Sequence, residues 1–373
     1  MSHGKDVNVY RSRVVRCQRL MSEREIDVLF LAPGPNMYYL SGFLEEPSER
    51  LLSLIIPQSG DPLFIVPELY ERQVRSFSWV EKLVSWKDSQ DPNAVLSTTM
   101  KQVVTRRPTI AVDSRMWSRF LLMLLAVAPD ARYIDAGLVM NRVRIKKTHE
   151  EIALMARSAE IADTAFTETV KECREGMTEH QVAAKLVNEL RRLGADSIGF
   201  EPAASSGPNA ALPHYRSGDR QLQRGDLVVL DYGCLYRGYN SDITRTIAVS
   251  SCDDERKKAY SVVRSAQEEA YQAAVEGVEA QSVDRVARRI IEAAGYGRFF
   301  VHRTGHGIGL EIHEEPYIVA GNSVKLDEGM AFSVEPGIYV PGQYGVRIED
   351  IVVIQAGKAR RLNNCTRELV TIQ

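Results

Sequence analysis

Two acidic residues stand in strand-like segments where an aliphatic residue is expected. The segment "LVVLDYG" opens with four apolar, β-prone residues, as in a strand buried on both faces, and then places Asp231 in the same run. After the turn-like "CLYRGYN", the segment "SDITRTIAV" predicts a returning strand with Asp242 inside it. A carboxylate in an apolar strand is costly unless something compensates its charge. Asp231 therefore needs a compensating partner.

The same arrangement of glycines and an acid occurs a second time. In both copies one glycine precedes the acid by six positions and another follows it by two: Gly225, Asp231 and Gly233 in the first, Gly329, Glu335 and Gly337 in the second. The second copy also returns, in "VRIEDIVVI", as a predicted strand in which Arg347 and Glu349 share one face. Two helical segments precede the strands of each copy, which indicates an internal repeat.

Two antiparallel hairpins with two acids each would bring four carboxylates together. Four ionised carboxylates cannot persist side by side, because like charges disfavour ionisation. Two divalent cations resolve this conflict, since they supply about four positive charges. We therefore predict that a metal compensates Asp231. Arginine pairing or backbone capping explains one isolated acid better than four at matched positions, and we assign Asp350, on the opposite face from Glu349, to solvent or local pairing.

Four of the seven histidines lie in segments that suit a functional site: His214 in "ALPHYRSGD", and His302, His306 and His313 in "VHRTGHGIGLEIHE". His306 stands between two glycines, which let the backbone pass close to a ligand. "GHGIG" is not a phosphate loop, because no strand–GxGxxG–helix context surrounds it. One imidazole with four carboxylates suits Mn²⁺, Co²⁺ or Zn²⁺ and disfavours copper or an iron–sulfur cluster.

Composition and charge exclude several classes of protein. The 373 residues are 44% hydrophobic and 26% charged, and the formal net charge of −2 gives no reason to expect a nucleic acid or an anionic membrane as partner. Five scattered cysteines without a CxxC pair fit reduced thiols. The N-terminus lacks the apolar core of a secretory signal, and the apolar run from Phe120 is too short to span a bilayer. We expect a cytoplasmic protein.

The length of the chain favours two domains. The first part alternates helix-like and strand-like segments: "RCQRLMSEREI" predicts an amphipathic helix, while "DVLFLA", "RLLSLIIP", "PLFIV" and "TIAVD" predict strands. Thr148 and Glu151 have capping-box spacing, so a new helix should begin at about His149. Thr178 is a candidate cap for the next helix. We predict domains over residues 1–140 and 141–373.

The combined motifs "DYG…SDITRT…HRTGHGIGLEIHE…SVEPGIY…VRIED" resemble those of the pita-bread metallopeptidases, which include aminopeptidase P, prolidase and methionine aminopeptidase. "IDVLFLAPGPNMYYLSGF" is similar to the N-terminal domain of the aminopeptidase P, prolidase and creatinase branch. The resemblance covers essentially the whole chain. It implies a mixed α/β (α+β) protein: a small creatinase-like α/β domain, followed by a pita-bread catalytic domain with a pseudo-twofold internal repeat.

The resemblance also implies roles for particular residues. The positions that match metal ligands are Asp231, Asp242, His306, Glu335 and Glu349. Among them Asp242 and Glu349 correspond to bridging carboxylates, and Glu335 to the acid that also handles the proton of the nucleophile. The substrate-facing histidines of the family match His214, His302 and His313, and Arg347 matches an arginine that supports the site.

The implied activity is that of a dinuclear exopeptidase that cleaves Xaa-Pro bonds by attack of a metal-bridging hydroxide. Its cofactors would be two divalent ions, Mn²⁺ first and Co²⁺ or Zn²⁺ next. Its substrate would be a small peptide with proline at the second position, and we expect a homodimer. In this scheme His313 donates a hydrogen bond to the developing oxyanion, and Glu335 relays a proton to the leaving nitrogen.

Other functions stay open at this level. One alternative is a metal-dependent hydrolase or lyase of the same fold that acts on a non-peptide small molecule. Two others are a non-catalytic binding module and a metal-free creatinase-like enzyme, and the intact set of metal ligands opposes both. The choice between dipeptidase and aminopeptidase is also open. Some prolidases carry an arginine directly after the proline of "HExP", where this chain has Tyr317, which favours tolerance of tripeptides. A prolidase needs a cation to hold the C-terminal carboxylate of a dipeptide, and the arginines that could supply it in this chain are Arg216, Arg303 and Arg347.

Overall fold

The computed structural model describes residues 7–104 and 107–373. The chain divides into two compact units, the first extending to Arg144 and the second running from Ile145 to Gln373. Among the described residues, no helix combines the length and the apolarity that crossing a membrane requires.

The first unit is an α/β unit built on one mixed sheet. Its strands are β1 (Val28–Leu31), β2 (Ser53–Pro57), β3 (Leu63–Pro67), β4 (Lys82–Trp86), β5 (Thr109–Val112) and β6 (Arg132–Asp135). Its helices are α1 (Val7–Glu23), α2 (Pro35–Ser41), α3 (Glu68–Phe77), α4 (Pro92–Val103), α5 (Ser118–Val127) and α6 (Gly137–Arg144). The strand order is β4-β3-β2-β1-β5-β6 in the described part of this unit. All four residues of the central β1 are buried, as its continuous apolar sequence requires.

Helix α1 begins nine residues before the segment from which it was predicted. Only Val14, Cys17 and Met21 of this helix are buried, at the spacing of one helical face. The first two turns bury nothing, so the sequence there carries no apolar periodicity that would predict a helix.

The second unit contains four long helices and several small sheets within its described residues. Its helices are α7 (His149–Glu172), α8 (Glu179–Arg192), α9 (Asp254–Ala273) and α10 (Ala280–Ala293), with 3₁₀ turns at Gly207–Ala211 and Gly297–Phe299. The strands of its first half are β7 (Ser197–Ile198), β8 (Ala203–Ser206), β9 (Leu227–Tyr232), β10 (Cys234–Tyr236), β11 (Tyr239–Asn240) and β12 (Ile243–Val249). Those of its second half are β13 (Gly305–Gly307), β14 (Glu314–Ile318), β15 (Ala331–Val334), β16 (Gly337–Val340), β17 (Tyr344–Arg347), β18 (Asp350–Gln355), β19 (Lys358–Arg361) and β20 (Val370–Ile372).

Helix α7 begins where the capping box predicted. The amide of Glu151 donates to Thr148 Oγ1 at 3.3 Å, and the amide of Thr148 donates to Glu151 Oε2 at 2.8 Å. Thr178 caps α8 in the same way, with Gln181 as its reciprocal partner. Both predicted starts are therefore confirmed, because these side chains satisfy amides that the first helical turn leaves without partners.

The internal repeat is visible in the backbone of the two strand pairs. Strands β9 and β12 pair antiparallel, and so do β15 and β18. Gly225 and Gly329 precede β9 and β15, both with positive φ, at 89° and 81°. The amide of Gly225 donates to Val249 O and the amide of Gly329 to Ile354 O, each at 2.9 Å. The two glycines that matched in sequence thus make the same hydrogen bond in both halves.

The positions of two acids differ from prediction. Asp242 lies directly before β12, which begins at Ile243, rather than inside that strand. Glu349 lies in a break between β17 and β18 rather than within one continuous strand. The reason for the break is that β17 pairs with β16, while β18 pairs with β15. Glu335 lies in the corresponding break between β15 and β16, so both glutamates stand where the chain changes pairing partner.

Asp350 is fully buried, which excludes the solvent position predicted as one alternative, and the local pairing predicted as the other is what the structure has. Its oxygens lie 2.6 Å from Arg245 Nη2, 3.1 Å from Arg361 Nε and 3.0 Å from Arg367 Nη1. Gln267 donates a further hydrogen bond at 3.2 Å. A carboxylate so buried is tolerated because cationic and polar donors surround it.

The two matched glycines should differ in their response to alanine. A side chain at φ near +85° costs roughly 1–2 kcal/mol in either position. At Gly225 an added Cβ meets nothing within 4 Å, whereas at Gly329 it would lie 2.7 Å from the carbonyl oxygen of Lys147. Urea unfolding should therefore show a larger loss of stability for Gly329→Ala than for Gly225→Ala. Equal losses would contradict the role given to the close contact at Gly329.

Candidate active site

A cavity of about 470 Å³ in the second unit contains every site residue predicted from sequence. Its lining includes the carboxylates and imidazole of the predicted metal site, Asp231, Asp242, His306, Glu335 and Glu349. It also includes the other predicted residues, His214, His302, His313 and Arg347. The lining residues that sequence reasoning did not name are Phe200, Pro213 and Ile312, and Arg303 was named only as a candidate substitute cation.

Glycines on both sides of His306 bring its side chain into the cavity. The strand β13 is only three residues long and pairs with β14 on one side and β15 on the other. A Cβ on Gly305 would lie 1.9 Å from the carbonyl oxygen of Ser333, and one on Gly307 would lie 2.2 Å from that of Glu315. Only glycine fits at these two positions, which explains the "GHG" sequence.

The His306 ring faces two of the acids. Its Nε2 lies 3.4 Å from Glu335 Oε1 and 3.6 Å from Asp242 Oδ2. Its Nδ1 lies 3.0 Å from the carbonyl oxygen of Gly307, and a hydrogen bond from Nδ1 to that oxygen leaves Nε2 available as a ligand. One ligand atom from each of Asp242, His306 and Glu349 lies within 4.8 Å of the others.

Two carboxylate oxygens in this cluster have no protein partner. Among the described residues, Asp242 Oδ1 and Glu349 Oε1 are buried and accept no hydrogen bond. Buried polar atoms are rarely left in this state, because the lost solvation is not recovered. A divalent cation fits the observation, since carboxylate oxygens and one imidazole form a donor set suited to such an ion. The residues present therefore match the metal requirement.

Burial and mutual repulsion set the protonation of the acids. Burial is the largest cause that raises the pKa of Asp242 well above its usual value, followed by the charges of Glu349 and Asp231. The pKa of Glu349 is raised for the same reasons. Burial raises the pKa of Glu335 to about 7, although the charge of Arg347 opposes the shift. Without a cation, burial and mutual repulsion therefore disfavour the ionised form of these carboxyl groups.

Arg347 is the charge partner of Asp231. Its Nη2 donates to Asp231 Oδ2 at 2.5 Å, its Nη1 to the hydroxyl of Tyr339 at 2.8 Å and its Nε to Thr244 Oγ1 at 3.0 Å. Asp231 therefore has an arginine as a charge partner, in addition to the metal predicted from the sequence. Since the cavity lining has four carboxylates and only Arg303 and Arg347 as arginines among its described residues, two negative charges are left over if all ionise.

Three supporting residues were missed from the sequence. Thr244 donates from Oγ1 to Glu349 Oε2 at 2.6 Å, and Ser333 donates to Glu335 Oε1 at 3.1 Å. The hydroxyl of Tyr339 lies 2.8 Å from His302 Nε2, besides accepting from Arg347. Thr244 faces the same way as Asp242 by strand alternation, which is a signal in the sequence. Ser333 lies two positions before Glu335, so the same alternation places both side chains on one face. The contact of Tyr339 with His302 joins distant segments, which the sequence does not specify.

The predicted histidines occupy different environments. The rings of His306 and His313 meet edge to face, with centroids 4.1 Å apart. His214 and His313 are exposed, whereas His302 is half-buried and packs its ring edge against Phe300. Burial, helped by the charge of Arg347, lowers the pKa of His302 to about 4, so its ring is neutral at pH 7. A neutral ring can accept or donate one hydrogen bond without adding charge to the cavity.

The class of protein follows from comparison with known families. Residues 153–356 match metallopeptidase family M24, and residues 13–146 match the creatinase/prolidase N-terminal domain. The chain belongs to metallopeptidase family M24. It is therefore a peptidase that depends on divalent metal ions, and both the predicted architecture and the predicted membership of the prolidase and aminopeptidase P branch are confirmed.

Particular relatives cover nearly the whole chain. It is 36% identical over 371 residues to a probable dipeptidase PepE of Mycobacterium tuberculosis, with 98% of each chain covered. It is 36% identical over 360 residues to an Xaa-Pro dipeptidase of Pyrococcus furiosus, covering 96% of this chain and 100% of the relative. The crystal structure of a prolidase from Thermococcus sibiricus superposes with a TM-score of 0.94 at 39% identity, covering 97% of this chain and 99% of that one.

Thr244 provides a test of how the site is supported. In Thr244→Val, Glu349 loses a hydrogen bond and Arg347 Nε loses an acceptor, so the acid is less firmly oriented. Loss of such an outer partner typically weakens metal affinity by about 10- to 100-fold. Calorimetric titration of the chelator-treated protein with Mn²⁺ should reveal this loss, whereas Thr244→Ser, which keeps the hydroxyl, should bind almost as wild type. Equal affinities in the two variants would contradict the assigned support.

Proposed function

We propose that this chain hydrolyses Xaa-Pro peptide bonds with two divalent cations held by Asp231, Asp242, His306, Glu335 and Glu349. The observation that carries the proposal is the convergence of these five side chains in one cavity, where buried oxygens of Asp242 and Glu349 have no protein partner. Several relatives that align with nearly the whole chain are named Xaa-Pro dipeptidases. That agreement favours a proline-directed peptidase over a hydrolase or lyase of a non-peptide, and over a non-catalytic module.

Asp242 and Glu349 would help to hold both ions, and each of the remaining three residues would help to hold one of them. When bound, the cations would offset the carboxylate charges, polarise a substrate carbonyl and lower the pKa of water so that hydroxide is available near neutral pH. Mn²⁺ is the preferred ion for this donor set, with Co²⁺ and Zn²⁺ as alternatives. Arg347 keeps Asp231 in place through its hydrogen bond and holds Tyr339 against His302.

The protein side chains supply proton transfer and charge stabilisation. Glu335 takes the proton of the attacking water and passes it to the leaving nitrogen. That nitrogen is tertiary in an Xaa-Pro bond, so it must be protonated before it leaves. His313, beside His306, donates a hydrogen bond to the oxyanion that develops on the scissile carbonyl.

The remaining lining residues suit a proline ring. Phe200, Pro213 and Ile312 contribute apolar surface to a cavity whose acids lie together. His214 and His302 also line the cavity, and we assign them to the proline pocket. An apolar wall beside a polar reaction centre is the usual character of a small-molecule site.

We also assign a cellular location, an oligomeric state and domain limits to the protein. All five cysteines are free, which supports a cytoplasmic location because reducing compartments keep thiols unpaired. We retain the homodimer that the family resemblance implies. We retain residues 1–140 as the N-terminal domain and 141–373 as the catalytic domain.

The ligand assignment predicts metal content. Elemental analysis of the purified protein should find about two divalent ions per chain, and Asp242→Ala and Glu349→Ala should each lose at least one. His313→Ala is the matched control in the same cavity, and it should keep its ions while turnover falls roughly 10²–10³-fold. Full metal content in Asp242→Ala and Glu349→Ala would contradict the ligand set. Loss of metal with the His313 side chain would make that residue a ligand instead.

The substrate assignment predicts a preference among tripeptides. Ala-Pro-Ala should be hydrolysed with a kcat/KM about 10- to 200-fold above that of Ala-Ala-Ala, because alanine underfills a pocket shaped for proline. Steady-state kinetics with added Mn²⁺ measures both, and Ala-Pro in the same series compares dipeptide with tripeptide. Equal and measurable turnover of the two tripeptides would exclude the proline preference. Turnover of neither tripeptide nor Ala-Pro would instead favour a non-peptide substrate.

A further inference from the structure

Arg303 is a cation in the active-site cavity that lacks an anionic partner. Its side chain lines the same cavity as the predicted ligands, three positions before His306 in sequence. Among the residues that the structure describes, its guanidinium group makes no hydrogen bond and no ion pair, and its contact is with the Tyr317 ring, whose centroid lies 4.5 Å from Arg303 Cζ. An arginine left unpaired beside four carboxylates is available to a ligand.

The other two candidate arginines are unsuitable as anchors. Arg347 already donates to Asp231, Thr244 and Tyr339, so its guanidinium is committed to the site itself. Arg216 is exposed and does not contribute to the described lining of the cavity. The structure therefore leaves Arg303 as the arginine that can receive an anion there.

Tyr317 gives Arg303 a defined position. An arginine stacked on an aromatic face is attracted by the ring and loses less freedom when it binds an anion. The tyrosine thus stands where some prolidases have a cation, and it holds a neighbouring cation instead. Its lack of charge therefore does not remove the positive group from the cavity.

Arg303 lies in the same cavity as residues assigned to the reaction. Its side chain lines that cavity together with Glu335 and His313. Only the proline nitrogen and Cα separate the scissile carbonyl of a dipeptide from its terminal carboxyl group, a span of about 4 Å. An anchor for that carboxylate must therefore lie close to the reacting atoms, as Arg303 does.

We propose that Arg303, held by Tyr317, binds the C-terminal carboxylate of a dipeptide substrate and makes this enzyme prefer dipeptides. This assignment rests on the proposed peptidase function. The planar guanidinium group matches a carboxylate with two parallel hydrogen bonds. A tripeptide places an uncharged amide at the same point, which leaves Arg303 without an anion.

The test compares peptides that differ only in this charge. Steady-state kinetics of the metal-loaded enzyme should give a higher kcat/KM for Ala-Pro than for Ala-Pro-amide, and Arg303→Gln should lower the value for Ala-Pro roughly 10- to 100-fold. The value for Ala-Pro-amide should change by less than about threefold, so the preference disappears. Tyr317→Leu should raise the KM for Ala-Pro about two- to fivefold, whereas Tyr317→Phe, which keeps the ring, should leave it unchanged.

A matched control separates this effect from general damage. Arg298 is exposed, stacks on Phe299 with its Cζ 4.6 Å from the ring centroid and does not contribute to the described cavity lining, so Arg298→Gln should change neither peptide. Inhibition by free L-proline and by L-prolinamide gives a second readout. Arg303→Gln should weaken inhibition by proline and leave inhibition by prolinamide unchanged. Arg303→Lys should retain part of the preference, because it keeps the charge without the paired geometry.

The outcomes distinguish failure of the anchor from failure of the proposed function. Equal kcat/KM for Ala-Pro and Ala-Pro-amide in wild type, or equal losses for both in Arg303→Gln, would overturn the anchor and leave the peptidase function standing. The same comparison with Ala-Ala and Ala-Ala-amide tests whether the anchor holds when the proline assignment fails. An Arg303-dependent preference for the carboxylate without any preference for proline would support the anchor and remove the proline assignment. Turnover of none of the four peptides would remove both.

Discussion

Repulsion between four carboxylates in one buried cavity is the constraint on which this site depends. Arg347 relieves it at Asp231, but Asp242 and Glu349 keep buried oxygens that no described group of the protein satisfies. The fold nevertheless holds these acids together, through Thr244 on Glu349 and Ser333 on Glu335. We expect such an arrangement to reduce the stability of the metal-free protein, and in the proposed function the cations that relieve the repulsion also take part in the reaction.

Glu349 and Asp350 show two ways in which one fold accommodates a buried acid. These neighbours in sequence are 2% and 0% exposed, so burial alone does not distinguish them. Asp350 is surrounded by three arginines, which makes it a structural residue. Glu349 has a threonine donor on one oxygen and no protein partner on the other. The difference in available partners, rather than residue type or burial, separates a candidate ligand from a structural carboxylate.

Local chemistry made much of this protein predictable. The capping boxes at Thr148 and Thr178 predicted two helix starts, and the spacing of glycines around Asp231 and Glu335 indicated the repeat. A further repeat signal was missed: Gly176 and Gly277 precede α8 and α10, both with φ near 85°, and their amides donate to Leu222 and Leu326. What the sequence could not predict depends on pairing between distant strands, as in the break before Asp350 and the contacts of Tyr339. The hydrophobic pattern and turn geometry specify register within a hairpin, but they do not specify which distant strands become neighbours.

The most direct test of the central claim is the thermal midpoint of chelator-treated protein, measured with and without Mn²⁺. If carboxylate repulsion is the cost that cations relieve, wild type should melt at a lower temperature without metal and rise as Mn²⁺ is added. The doubly neutralised variant Asp242→Asn/Glu349→Gln should melt above metal-free wild type and should not respond to Mn²⁺. A metal-free wild type as stable as this variant, with a midpoint that Mn²⁺ does not change, would contradict the account.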